Sequence, residues 1–335
     1  MLLAVRSMEL DFIRCSTDAW PGPRRHGAEM LFNLLRKTTN VLELDLAFVP
    51  FSSFPSASSI TMRTSSLLPA LSNLTLATDE LSHSILLDLL ATSNQQIKSL
   101  NCMDMAIGLS LSRVVQPLDF GRNLRHLSTN CSLSRWIRSS SHVVSESLAG
   151  LESLTLQEEG FDVPCGRMEE LFRIVGPTLR KFRIDGRVDN IAQDLPLLTH
   201  LDLLSLTFVK ESSAAVFRHF PLSISTLLLD SDFDFAPTLM LWRGHPTTAP
   251  QKLKHLSIMH FSDLDNFGRL PSLNKLSTYF FAGLGAVLGD YSMTSVPFRI
   301  LELSFDVVPV PADLDRIKLE CERLSVHLSM TKADF

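Results

Sequence analysis

The sequence predicts an α/β chain of repeating units built around a parallel sheet, and three observations lead there. The pattern Leu-x-x-Leu-x-Leu, or a close apolar variant, recurs about thirteen times along the 335 residues. Most units are roughly 20 to 30 residues long, which matches a leucine-rich repeat and falls short of helical-hairpin repeats. Segments between the motifs carry helical apolar spacing, so strand and helix alternate and the strands run parallel. The expected architecture is a right-handed leucine-rich repeat solenoid, a horseshoe of about 13 repeats. Its parallel sheet lines the concave side, and helices and irregular segments cover the convex side.

The units follow one another along the chain. The first are Val5/Met8/Leu10, Val41/Leu44/Leu46, Leu71/Leu74/Leu76, Ile97/Leu100/Cys102, Leu124/Leu127/Thr129 and Leu151/Leu154/Leu156. The series continues with Leu179/Phe182/Ile184, Leu198/Leu201/Leu203, Ile224/Leu227/Leu229 and Leu253/Leu256/Ile258, then Leu273/Leu276/Thr278, Phe298/Leu301/Leu303 and Cys321/Leu324/Val326. The last two apolar residues of each unit are two apart and point to one side of a short strand, while the residues between them point to the other. A chain that is 45% hydrophobic produces isolated motifs of this kind, but not a near-regular succession.

Three helices are expected between the strands. Met168, Leu171, Phe172 and Val175 keep the i, i+3, i+4, i+7 spacing, and Gly176-Pro177 ends that helix before the strand at Leu179. Leu81, Ile85 and Leu89 form a second apolar face. Leu31, Leu34 and Leu35 form a third, with Arg36 and Lys37 in its last turn, where positive charge suits the helix dipole. The Ser-rich stretches from Phe51 to Leu67 and from Ser139 to Ser147, and the segment from Trp242 to Gln251, are expected to be long loops between repeats. No linker divides residues 1–335, so the expectation is a single solenoid domain, because a repeat array grows without adding separate cores.

Net charge is −5 and the pI about 6.1, which gives no electrostatic case for a nucleic acid or an anionic membrane as partner, and no basic groove is evident. The most apolar run, Tyr279 to Gly289, is shorter than the ~20 residues needed to cross a bilayer. The N-terminal Met-Leu-Leu-Ala-Val-Arg lacks a secretory h-region and cleavage site, so the expected location is cytoplasmic or nuclear. Cys15, Cys102, Cys131, Cys165 and Cys321 have no paired spacing and read as reduced, buried thiols. The sequons at Asn73 and Asn130 are then accidental. Nothing in the sequence sets an oligomeric state.

Catalytic patterns are missing: there is no CxxC pair, HExxH, phosphate-cradling GxxxxGK[ST] or GxSxG elbow. Gly283, Gly285 and Gly289 do not follow dinucleotide spacing, and His255 with His260 lacks the further ligands a metal would need. The expectation is a non-enzymatic protein with no cofactor and no metal. Partner-facing residues are then those at the third and fifth motif positions of the concave face: Glu43, Asp45, His126, Lys181, Arg183, His200, Asp202, His255 and Lys275, with Glu9, Asn101, Glu302 and Arg323 beside them. Lys181 and Arg183 stand out, since two cations on one strand face repel unless an acidic group, internal or from a partner, sits opposite. Phe12, Phe48, Phe280 and Phe305, each two residues past a last motif position, point inward and pack the core.

Particular phrases carry a family resemblance. Leu124-Arg-His-Leu-Ser, Leu179-Arg-Lys-Phe-Arg, Leu253-Lys-His-Leu-Ser and Leu273-Asn-Lys-Leu-Ser, with Leu-Pro-x-Leu turns at Leu68, Leu195 and Leu270, resemble the leucine-rich repeat region of fungal F-box proteins, especially those of mushroom-forming fungi. The resemblance covers essentially the whole chain. It implies substrate recognition for a cullin-type ubiquitin ligase, with a protein partner held on the concave face. An F-box precedes the repeats in that family, whereas the first repeat here begins at Val5, so binding of the ligase adaptor is implied only if an F-box lies upstream. The alternative is a free-standing repeat scaffold, sensor or GTPase-regulator-like solenoid with no ubiquitin role.

Overall fold

The structure is a computed structural model that describes residues 5–11, 34–35, 37–47, 68–78, 96–104, 123–130, 148–157, 169–185, 193–207, 220–230, 236–245, 249–260, 273–293, 296–305 and 309–332. These fall in two compact units, Met1–Gln157 and Glu158–Phe335. The protein is α/β, with all described strands parallel to their neighbours and few helices.

The first unit contains β1 (Ser7–Asp11), β2 (Glu43–Ala47), β3 (Asn73–Thr78), β4 (Ser99–Asp104), β5 (His126–Asn130) and β6 (Ser153–Gln157). Each pairs with the next in sequence order. The apolar motif sets the register. Leu44 lies on Leu74, Leu74 on Leu100, Leu100 on Leu127 and Leu127 on Leu154, all buried. A second row of Leu46, Leu76, Cys102, Thr129 and Leu156 is buried beside it. A slip of one residue would turn both rows to solvent, which pins the pairing.

The entrance to each strand repeats as well. Turns with an i to i+3 hydrogen bond place the first apolar residue: Val41 donates to Thr38 O at 3.2 Å, Leu71 to Leu68 O at 3.1 Å and Leu151 to Leu148 O at 3.0 Å. Pro69 suits the second position of such a turn because its φ is already fixed near the required value. One carbonyl then accepts two N–H groups from the next chain segment. Leu42 and Glu43 both donate to Arg6 O at 2.7 and 3.1 Å, and Ser72 and Asn73 both donate to Leu42 O at 2.9 Å.

The second unit contains β7 (Lys181–Asp185), β8 (Leu203–Thr207), β9 (Thr226–Asp230), β10 (His255–His260), β11 (Ile300–Phe305) and β12 (His327–Lys332). They pair in that order. Among the described residues four helices accompany them: α1 (Glu169–Val175), α2 (Ala236–Gly244), α3 (Leu273–Gly289) and α4 (Pro311–Leu324). Phe182, Leu204, Leu227, Leu256 and Leu301 form one buried row, and Ile184, Leu206, Leu229, Ile258 and Leu303 the other. Helix α1 buries Leu171, Phe172 and Val175 and stops at Gly176 as the spacing predicts. Gly176 is there for room: a Cβ would stand 2.4 Å from Leu197 O and 2.6 Å from Phe172 O.

Three expected units differ. Leu198/Leu201/Leu203 gives way to Leu201/Leu204/Leu206, because Leu195–Leu197 forms a 3₁₀ turn that takes Leu198 into the core ahead of the strand. Leu273/Leu276/Thr278 is not a strand but the start of α3, where Phe281, Leu284, Val287 and Leu288 are buried at helical spacing. Cys321 and Leu324 belong to α4, which buries Ile317, Cys321 and Leu324 on one face; the strand follows at His327. Pro311 starts α4 and Ser325 ends it with φ 56°, the left-handed cap that stops a helix.

Of the other expected helices, Leu34, Leu35 and Lys37 are helical and Leu35 is buried, whereas Leu31, Leu81, Ile85 and Leu89 lie outside the described residues. Phe305 is buried, edge-on to Phe281 with ring centroids 5.7 Å apart. Phe280 lies in α3 and not in a strand, while Phe12 and Phe48 lie outside the described residues. No described helix is long and apolar enough to cross a membrane.

Candidate functional site

Strand alternation turns the residues between the buried rows outward. In the first unit this face begins with carboxylates and continues as small polar groups. Glu43 is exposed on β2 and accepts a hydrogen bond from Asn73 Nδ2 on β3 at 3.1 Å. Asp45, two residues on, is half-buried and engaged within the chain. His126 is exposed on β5, in register with Ser99 and Ser153. In register with Asp45 follow Thr75, Asn101, Ser128 and Thr155 on β3 to β6. The Oδ1 of Asn101 is buried with no hydrogen-bond partner among the described residues.

The second unit's outward face has a different chemistry. Lys181 and Arg183 are exposed on β7, and the acidic group that their proximity calls for is internal: Arg183 Nε donates to Asp185 Oδ1 at 2.9 Å. The next strands place Leu203, Leu228 and Ile300 on the same face, half-buried or, for Ile300, exposed. His255 on β10 and Glu302 on β11 are joined by an Nε2 to Oε2 contact of 3.0 Å, and His327 and Ser329 of β12 follow in register. Leu203 and Leu228 therefore sit between a cationic strand and a His–Glu pair, while Ile300 lies opposite His255 on the same strand as Glu302.

The register shift relocates several expected residues. His200 is exposed in the turn before β8, its ring Nδ1 3.0 Å from Thr199 Oγ1. Asp202 precedes β8 at the strand entrance, 3.8 Å from Arg180. Lys275 lies in α3, off the strand face altogether. Arg323 is in the last turn of α4 and donates to Leu288 O at 3.0 Å and Gly289 O at 3.2 Å, so it caps α3. Glu43, Asp45, His126, Lys181, Arg183 and His255 lie on strands at the expected outward positions.

One feature went unread in the sequence. At the strand entrances of the second unit a groove of about 700 Å³ is lined by Asp202, Ser225, Trp242, Lys252, Lys254 and Arg299, among others. Lys254 and Arg299 become neighbours through the shared-carbonyl pattern, with Arg299 N–H donating to Lys254 O at 2.9 Å. The residue after the first motif leucine is the only sequence signal, and it is visible only once the register is known.

Nucleophilic chemistry finds little support in the described thiols. Burial raises the Cys102 thiol far above its ordinary range, and burial together with the nearby Glu320 charge pushes Cys321 up to about 11, so both are protonated at neutral pH. Tyr291, raised chiefly by burial, donates its hydroxyl to Leu239 O and ties the end of α3 to α2. Among the described residues no group of three His, Cys, Asp or Glu side chains could hold a metal ion. No protein-family model matches the chain, and no curated protein is similar to it in sequence.

Proposed function

We propose that this chain is a leucine-rich repeat solenoid that binds a protein partner through its outward strand face, as the substrate-recognition arm of an F-box type ubiquitin ligase does. The observation that carries the binding reading is the second unit's face, where Leu203 and Leu228 form an apolar centre between Lys181 and Arg183 on one side and His255 and Glu302 on the other, with Ile300 exposed beside Glu302. Interfaces combine an apolar centre with a polar rim in this way. The motif succession and its in-order parallel strands support the repeat type, and the F-box link rests on the phrases of the sequence. In this reading the protein is non-catalytic, takes no cofactor and works in the cytoplasm or nucleus.

Six strands ~4.8 Å apart, of five or six residues at ~3.3 Å, offer a flat footprint of roughly 400–500 Å². A standard partner covers ~800 Å², so a partner of this unit must reach beyond the strands. The test has two arms. Chemical cross-linking in cells of the native source, with mass spectrometry, should join a partner to peptides containing Lys181 or Lys254. Co-precipitation of the native gene product with a cullin and its adaptor supports the ligase reading; partner cross-links without either protein assign it to a free-standing scaffold. Cross-links confined to the helices would refute the strand-face reading.

A further inference from the structure

We infer that the groove at the strand entrances of the second unit receives an acidic peptide segment, with its carboxylates held by Lys254 and Arg299. This rests on the reading of the chain as a protein-binding module and names the partner's chemistry at one place. The starting point is an unfavourable arrangement. Lys254 and Arg299 occupy equivalent positions on adjacent chain segments, joined by the 2.9 Å bond from Arg299 N–H to Lys254 O. Like charges side by side on neighbouring strands are destabilising. Both are exposed, Lys252 is exposed close by, and none of the three has a carboxylate partner among the described residues.

The groove's own carboxylate does not neutralise them. Asp202 is turned toward Arg180, on the opposite side from Lys254, at 3.8 Å. Ser225 lies between Asp202 and Lys254 and spends its hydroxyl proton on the Asp202 carbonyl at 3.1 Å, so the anion-receiving groups are the cations. The groove's volume of about 700 Å³ falls within the range of ligand sites. Its walls include Pro250, Val296 and Pro297, which offer apolar contact to the side-chain stems of a peptide. Arginine and lysine at such a site recognise carboxylates by charge-assisted hydrogen bonds.

A nucleic acid fits the same groove poorly. Single-stranded nucleic acids are held by a basic track with exposed aromatic rings on which bases stack. The one aromatic residue in the lining, Trp242, is 1% exposed and belongs to the floor.

The test uses the full chain and a fluorescein-labelled peptide of alternating aspartate and glutamate, about eight residues long, read by fluorescence anisotropy. Saturable binding is expected, weakened at least tenfold by Lys254→Gln with Arg299→Gln. It should be unchanged by Lys98→Gln with Arg6→Gln, which removes the same charge from the first unit. Lys181→Glu reports on the strand face separately: a loss of peptide binding there larger than in the groove variant overturns the groove and leaves the strand-face reading standing. Lys254→Met alone, which keeps the apolar stem, should give at least a threefold loss and serves if the double variant fails to fold. No saturable binding, equal loss in the first-unit variant, or equally tight binding of single-stranded oligothymidylate with the same residue dependence overturns the inference.

Discussion

His255 on β10 and Glu302 on β11 are joined at 3.0 Å, although their backbones are not opposite one another: His255 faces Ile300, and Glu302 faces Ser257. The contact is a diagonal across one strand pair, reachable because both side chains are long. With 30% and 37% of the side chains exposed, solvent screens it. A double-mutant cycle with His255→Ala and Glu302→Ala, measured by urea unfolding, should give a coupling of about 0.2–1 kcal/mol. A coupling above ~2 kcal/mol would mean that the pair organises the strands and is no mere surface contact.

Lys181 and Arg183 differ in their ties. Arg183 is held by Asp185, whose side chain is only 16% exposed, while Lys181 has no ion pair among the described residues. Lys181→Glu should therefore reduce partner capture at least tenfold and leave thermal unfolding nearly unchanged. Arg183→Gln should also lower the melting temperature, since it leaves Asp185 without its partner. Equal destabilisation by both would assign Lys181 a structural role.

Phe305 ends β11 with 7% of its surface exposed and its ring edge-on to Phe281. Truncation to alanine removes that packing and opens a cavity, so Phe305→Ala should cost about 3–5 kcal/mol in chemical denaturation. Wild-type stability would show that the ring is dispensable to the core.

Gly176 faces two backbone oxygens at distances no Cβ tolerates. Backbone yields less readily than a side chain, so Gly176→Ala should destabilise by about 1–3 kcal/mol or more. Gly244, with open space around its Cβ position, is the control: Gly244→Ala should be neutral or slightly stabilising.

Cys321 titrates in the folded protein at about 11, above its ordinary value of 9.0, because burial and Glu320 disfavour the thiolate. The folded state then keeps a proton that the unfolded state has lost, so the stability is fully present below pH 9 and falls as pH rises toward 11. Unfolding midpoints of wild type and Cys321→Ala across that window should converge as pH rises. Parallel curves would remove Cys321 from the alkaline loss.

The sequence by itself determined the strands. Apolar residues at fixed offsets leave one way to bury them on a two-residue period, and parallel pairing in sequence order follows from units that each supply one strand. Leu44, Leu74, Leu100, Leu127, Phe182, Leu256 and Leu301 all stand where the motif puts them. Tertiary structure decided the rest wherever one string satisfied two periods. Leu198, Leu201, Leu203, Leu204 and Leu206 fit the motif in two overlapping registers, and the choice fell to the 3₁₀ turn at Leu195, which buries Leu198 ahead of the strand. Leu273 and Cys321 begin spacings that suit helix and strand alike, and contact between α3 and α4 selected helix: Gly285 lets the Arg316 and Ile317 side chains approach. The same physics explains the site. Outward positions are legible from alternation, but which cations share a groove depends on the carbonyl that joins Lys254 to Arg299 across 45 residues of chain, a distance that no local pattern records.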